Sequence, residues 1–313
     1  MDWVFLSELA INGALTGLLY SLFAIGLVLV YKASSVPNLA QGGLTMVGAY
    51  VVLALARDLG MPLWLAIPLA AVVMFGLGFG IERVALRRLA GRPVVMILML
   101  TLGLDIFLRG TTLAIWGGTS RSMELGVSYE PLFLGDIFIS RIHLVGAGVA
   151  LALFVAFMVF FRTRTGIKLR AIADDYMASW SVGISVERGV GLSWALASVV
   201  AVAAGVIWGE IQGVDQALSL LLLKGLTVAV LGGLDSILGA IVAGIILGVI
   251  ENVGAEFLDP LVGGGSRELI VAAVLILTVM IRPHVQSSGR PELGGVPSVD
   301  RTCGTVYPTV TLP

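Results

Sequence analysis

Nine apolar stretches, each cut off by a short polar connector, leave this chain few folds to choose from. A helix needs about 20 consecutive apolar residues to cross the hydrocarbon core of a bilayer. Residues 6–31, 39–56, 63–81, 94–116, 142–161 and 190–208 are of that order. Two shorter stretches, 218–231 and 237–250, are split by Gly232-Gly233, and a last one covers 269–281. Backbone in lipid must satisfy its own hydrogen bonds, so each run is expected to be helical. The expected fold is all-α, a polytopic transmembrane helical bundle with some short or re-entrant segments. It has eight spans if the glycine-split pair is partly re-entrant and nine if both halves cross.

Composition agrees. The 313 residues are 58% hydrophobic and 12% charged, against about 25% charged in soluble domains. Membrane lipid is therefore the solvent for much of the surface. A net charge of −1 gives no case for nucleic acid as a partner. Cys303 is the single cysteine, which excludes an internal disulfide and a cysteine metal site, and His143 and His284 lack ligand-spaced companions; no metal site is expected. The start, Met1-Asp2-Trp3-Val4, is acidic rather than basic, which argues against a cleaved signal peptide.

Clustered bases orient the bundle. Arg83, Arg87, Arg88 and Arg92 separate the third and fourth runs, and Arg162, Arg164, Lys168, Arg170 and Arg188 separate the fifth and sixth. Short base-rich loops stay in the cytoplasm, which puts the N-terminus outside. The loop 117–141 is poorer in bases and is expected outside. Residues 1–282 form the membrane domain, while Pro283 to Pro313, rich in Gly, Pro, Ser and Thr without periodicity, reads as a disordered polar tail.

Few polar residues interrupt the apolar runs. Asn38 precedes the second run, with Gln41 three residues on, the spacing of an N-cap and its reciprocal partner. Such a helix end offers free N–H groups that attract a carboxylate; capping alone is the plainer reading. Asp105 and Arg109 lie at i, i+4 inside the fourth run, either as a mutual ion pair or as a polar lining of a path. Glu82, Glu210 and Glu251 sit near the ends of runs and read as interfacial. Asp235 falls in the glycine break, where non-helical backbone must be buried in protein or line a cavity. Gly232, Gly233, Gly239, Gly244 and Gly248 read as helix-packing residues, or more sharply as a re-entrant element. The connector at about 162–189 holds Arg170, Asp174, Ala178 and Gly183 in a segment fit for a short amphipathic helix, with Ile172, Tyr176, Met177 and Trp180 interleaved. Such a helix lies on a membrane surface or docks in a partner's groove.

Three stretches together carry a resemblance. The run Ala171-Ile172-Ala173-Asp174-Asp175, followed by Ala178 and Gly183-Ile184, resembles the cytoplasmic loop of ABC importer permeases, in particular the branched-chain amino acid permeases. Residues 15–48 are similar to that family's opening helix and its signature, here Asn38, Ala40 and Gly42. Lys224 to Glu251 resembles its glycine-rich segment near the C-terminus. Leu39 and Gln41 stand where the family usually has an aromatic and a histidine, and Asp235 where it usually has glycine. Pro283-His284-Val285-Gln286 replaces its usual ending.

The resemblance implies a permease subunit of the bacterial inner membrane that translocates amino acids, expected to be branched-chain. It is not an enzyme and holds no cofactor of its own. Two cytosolic ATPases would use the ATP, a second permease, identical or different, would complete the path, and an extracytoplasmic binding protein would deliver the substrate. The loop helix, with Arg170, Ala173, Asp174, Asp175, Ala178 and Gly183, would sit in an ATPase cleft. Asn38, Gln41, Gly42, Asp105, Arg109, Gly232, Gly233 and Asp235 are the candidates for the path. The chain has no Gly-x-x-x-x-Gly-Lys phosphate loop of its own. An ion-coupled secondary transporter is the alternative. An intramembrane enzyme ranks last, for want of a His-Glu-x-x-His pair or a Gly-x-Ser-x-Gly elbow.

Overall fold

The computed structural model describes residues 3–89, 92–126, 131–134 and 137–281. The tail from residue 283, read above as disordered, lies outside the described residues. Eleven α-helices follow in order: α1 Trp3–Ser34, α2 Gln41–Leu53, α3 Leu63–Ile81, α4 Val94–Trp116, α5 Arg141–Phe160, α6 Arg164–Asp174, α7 Tyr176–Ser181, α8 Val186–Gln212, α9 Ala217–Gly232, α10 Ile237–Val262 and α11 Ser266–Ile281. Among the described residues six are long and apolar enough to cross a membrane: α1, α3 with its continuation to Leu89, α4, α5, α8 and α10. The chain is thus an all-α, multi-pass membrane protein. A small antiparallel hairpin, β1 Leu132–Leu134 with β2 Ile137–Ile139, is an addition that no apolar run announced.

The helices sort by what surrounds them. The apolar windows of α1 and α8 are 83% and 72% buried, whereas that of α4 is only 17% buried. Exposed side chains such as Val72 on α3, Phe107 on α4 and Val159 on α5 form the lipid-facing rim. Lipid is as apolar as leucine, so close packing rather than the hydrophobic effect must hold the centre. α1 and α10 run antiparallel at very short range: Gly13 packs on Gly248, Gly17 on Gly244, and Ser21 donates to the Ala240 carbonyl at 3.2 Å. Gly239 lies against Gly232 in the same way at the α9–α10 turn. These glycines therefore serve packing.

The glycine-split region differs from expectation. α10 is a full 26-residue span that runs on past Ile250 to Val262, and α9, at 16 residues, is the short member. Glu251 and Asn252 ended the apolar run in the sequence, yet neither ends the helix. Glu251 is buried against Lys224, and Asn252 donates to the Leu9 carbonyl at 2.9 Å. The break itself is a turn, with Gly233 at φ 92° and Ser236 capping α10 through the Gly239 N–H. Asp235 is exposed on that turn rather than buried in protein.

Candidate functional site

The shortest of the apolar helices begins inside the protein. Gln41, the first residue of α2, sits against Gly26, eight residues before the end of α1 (34 − 26). Its amide donates to the Ala197 carbonyl at 3.1 Å, eleven residues into α8 (197 − 186). At 1.5 Å per residue the start of α2 lies roughly 16 Å in from the start of α8. Residues 35–40 therefore turn back into the bundle, with Ser35 at φ 54° in the left-handed region at the turn.

A helix that starts among apolar neighbours needs its first N–H groups satisfied. Asn38 and Gln41 were expected to do this reciprocally, and they do not. Asn38 is fully buried, and its Oδ1 accepts from the Ala40 N–H at 3.0 Å, closing a local turn before the helix. Its amide lies 3.4 Å from the Gln41 Oε1. The helix N–H of Gly43 goes instead to Asp105 Oδ1 of α4 at 2.7 Å. Asp105 Oδ2 in turn meets Arg109 at 2.7 Å. The ion pair that the spacing suggested is thus present, and it has a second task, since the carboxylate also caps α2. Gly42 belongs to the same site: a Cβ there would strike the Ser219 carbonyl of α9. Asn38, Gln41, Gly42, Asp105 and Arg109 are brought together. Gly232, Gly233 and Asp235 are not part of this group; they form the α9–α10 turn.

Three acids taken as interfacial are buried. Glu82 faces Arg87 at 3.9 Å, Glu210 accepts from the Leu125 N–H at 3.0 Å, and Glu251 meets Lys224 at 2.6 Å. Each ended an apolar run in the sequence; Arg87 stands only five residues from Glu82 (87 − 82), but the partners of Glu210 and Glu251 lie 85 and 27 residues away, which spacing does not reveal.

The connector between α5 and α8 folds as two short helices, α6 and α7, rather than one. Asp175 breaks them and caps α7 through the Ala178 N–H at 2.9 Å. α6 is tied down at two points in its second half. Arg170 donates to the Phe161 carbonyl, and the Ala173 carbonyl accepts from Ser35 at 3.1 Å. Leu169 and Ile172 are buried, and a Cβ on Gly189 would meet both. The opposite side is open: Asp174 and Ala178 are exposed, as are Ile167, Trp180 at 68% and Val182 at 74%. Gly183 turns the chain out of α7 at φ 80°. The side chains of Tyr176 and Met177 lie outside the described ones. Trp180 is the residue on this surface that the resemblance passed over; it is a large aromatic left 68% exposed.

A family model described as the permease component of the branched-chain amino acid transport system matches residues 9–281. The chain is 30% identical over 299 residues to the high-affinity branched-chain amino acid transport system permease protein LivH of Escherichia coli K12, covering 90% of this chain and 95% of the relative. It is 30% identical over 304 residues to BraD of Pseudomonas aeruginosa, a permease of the same description, with the same two coverages. A second permease of the E. coli system, LivM, is 25% identical over 326 residues, covering 93% of this chain and 73% of LivM.

Proposed function

The chain belongs to the permease components of branched-chain amino acid transport systems, and from that membership we propose that it is the membrane subunit of an ATP-driven importer. It carries branched-chain amino acids inward through the bundle. The energy comes from ATP hydrolysed by separate cytosolic ATPases, since this sequence has no phosphate loop. A second permease, a different chain of the same family, completes the path, and a binding protein delivers the substrate from outside. The observation that carries this reading is the α6–α7 surface. Trp180, Val182 and Asp174 all stand exposed on this two-helix connector, while the other side of α6 is anchored to the ends of α1 and α5. A large exposed aromatic is what a partner's pocket takes hold of. A cleft that grips this surface and closes would pull on α1 and α5 together, and alternating access follows from such rigid-body motion.

Co-purification tests it. The wild-type chain, expressed with the ATPases from neighbouring genes, is expected to retain them in detergent. Trp180→Ala is expected to weaken retention by about 2 kcal/mol or more, as an interface hot spot does, and Asp174→Arg/Gly183→Trp is expected to abolish it. Retention unchanged in both variants removes the docking role of α6–α7.

In this reading the N-terminus lies outside and α6–α7 inside. With Cys303 replaced by serine, a cysteine at Ser122 is expected to react with a membrane-impermeant maleimide in intact spheroplasts. One at Arg88, which is exposed beside the Arg87–Glu187 pair at 3.0 Å, is expected to react only once the membrane is opened. The reverse pattern inverts the assignment.

A further inference from the structure

A second polar cluster is built around the Lys224–Glu251 pair. Lys224, the eighth residue of α9 (224 − 217 + 1), puts its ammonium 2.6 Å from Glu251 Oε1 and 3.2 Å from the Tyr20 hydroxyl. Tyr20 also donates to that same Oε1 at 3.1 Å and stacks on Trp208, with ring centroids 5.2 Å apart at 9°. The cluster joins α1, α9 and α10 near their middles and reaches α8 at Trp208, four residues before its end (212 − 208).

Two features set it apart from a plain structural staple. First, it is half satisfied. Both donors converge on one carboxylate oxygen, while Glu251 Oε2 is buried without a hydrogen-bond partner and the Glu251 side chain is only 4% exposed. An ammonium has three donors, and those of Lys224 are given two acceptors here. Second, the cluster is not sealed. The Lys224 side chain is 14% exposed, beside Leu220 and Leu223, which stand open on the same face of α9. An ammonium that opens directly onto lipid at this depth is costly, so such groups face water or protein.

We propose that Lys224 and Glu251 form a binding station for the zwitterionic head of an α-amino acid on its way through the permease; this rests on the transport reading above. The substrate's carboxylate accepts from the spare donor of Lys224, and its ammonium donates to the free Oε2 of Glu251. One internal ion pair becomes two intermolecular ones, and the net charge at that depth stays at zero throughout. Leu220 and Leu223 give the aliphatic side chain an apolar wall. In the structure described here the station is shut, since Oε2 has no surface; Lys224 is the member that opens to the outside of the cluster.

The test uses the assembled transporter, with ATPases, second permease and binding protein, in proteoliposomes, and follows uptake of labelled leucine against concentration. Lys224→Met/Glu251→Gln removes both charges at similar volume. If the pair is a recognition site, this variant accumulates and keeps its ATPases, and uptake falls about tenfold or more, the order lost with one charge-assisted hydrogen bond. If the pair is only a staple, the neutral replacement is tolerated, and wild-type uptake with wild-type half-saturation overturns the proposal. Glu251→Asp keeps both charges and withdraws the carboxylate by one methylene. Raised half-saturation supports the site and unchanged half-saturation overturns it, including where the double variant does not accumulate. A wild-type assembly that accumulates no amino acid on ATP sinks the transport reading itself, a result distinct from a loss confined to the variants.

Discussion

Asp105→Ala is expected to lower the stability of the folded permease by about 3–5 kcal/mol, the cost of removing one partner of a buried pair. The carboxylate holds two groups at once. Without it, Arg109 stays as an unpaired cation on a membrane helix, and the Gly43 N–H at the start of α2 loses its acceptor. The measurement is thermal inactivation in detergent, read by the fraction that remains monodisperse. The double variant Asp105→Ala/Arg109→Leu separates the two losses. It relieves the unpaired cation but leaves α2 uncapped, so recovery is expected to be partial, short by about 1–2 kcal/mol, the usual worth of an N-cap. Full recovery would show that capping contributes nothing and that Asp105 serves Arg109 alone.

The other large effect lies on the α1–α10 seam. A Cβ at Gly244 would overlap the Ser21 hydroxyl and the Gly17 backbone carbonyl. Backbone cannot swing aside as a side chain can. Gly244→Leu is therefore expected to cost about 3 kcal/mol or more, at the upper end of overpacking penalties, and to leave little folded protein in the membrane. Gly148→Leu on α5 is the control, because a Cβ there meets nothing within 4 Å. Its expected effect is within about 0.5 kcal/mol. Equal losses in the two variants would mean that the seam is not what holds these helices together.

These two sites differ in how far the chain alone discloses them. Asp105 and Arg109 are four residues apart on one helix, so their pairing is written in local spacing. That Asp105 also caps α2 is not, because its partner Gly43 is 62 residues away. The apolar runs announce nearly every membrane helix, since lipid leaves the backbone no alternative to satisfying itself. They fail where a charge is neutralised at long range: Glu251 ended a run in the sequence but sits in mid-helix, because Lys224, 27 residues earlier, meets it. The loop 162–189 was legible as amphipathic, but not as two helices. Asp175 acts there as a cap, a role that depends on backbone angles, and a sequence pattern does not supply those.

One consequence of the long first helix concerns timing. α1 is a single rod of 32 residues, about 48 Å at 1.5 Å per residue. Nine residues in from its start (12 − 3) Asn12 donates to the Phe138 carbonyl of the hairpin at 2.8 Å, and just past its last residue Ser35 donates to the Ala173 carbonyl of α6. If α6 receives the stroke of the proposed ATPases, α1 would carry it as one rod toward the hairpin. In the proposed importer both ends of α1 would move as one body, so that one side closes in the same motion that opens the other.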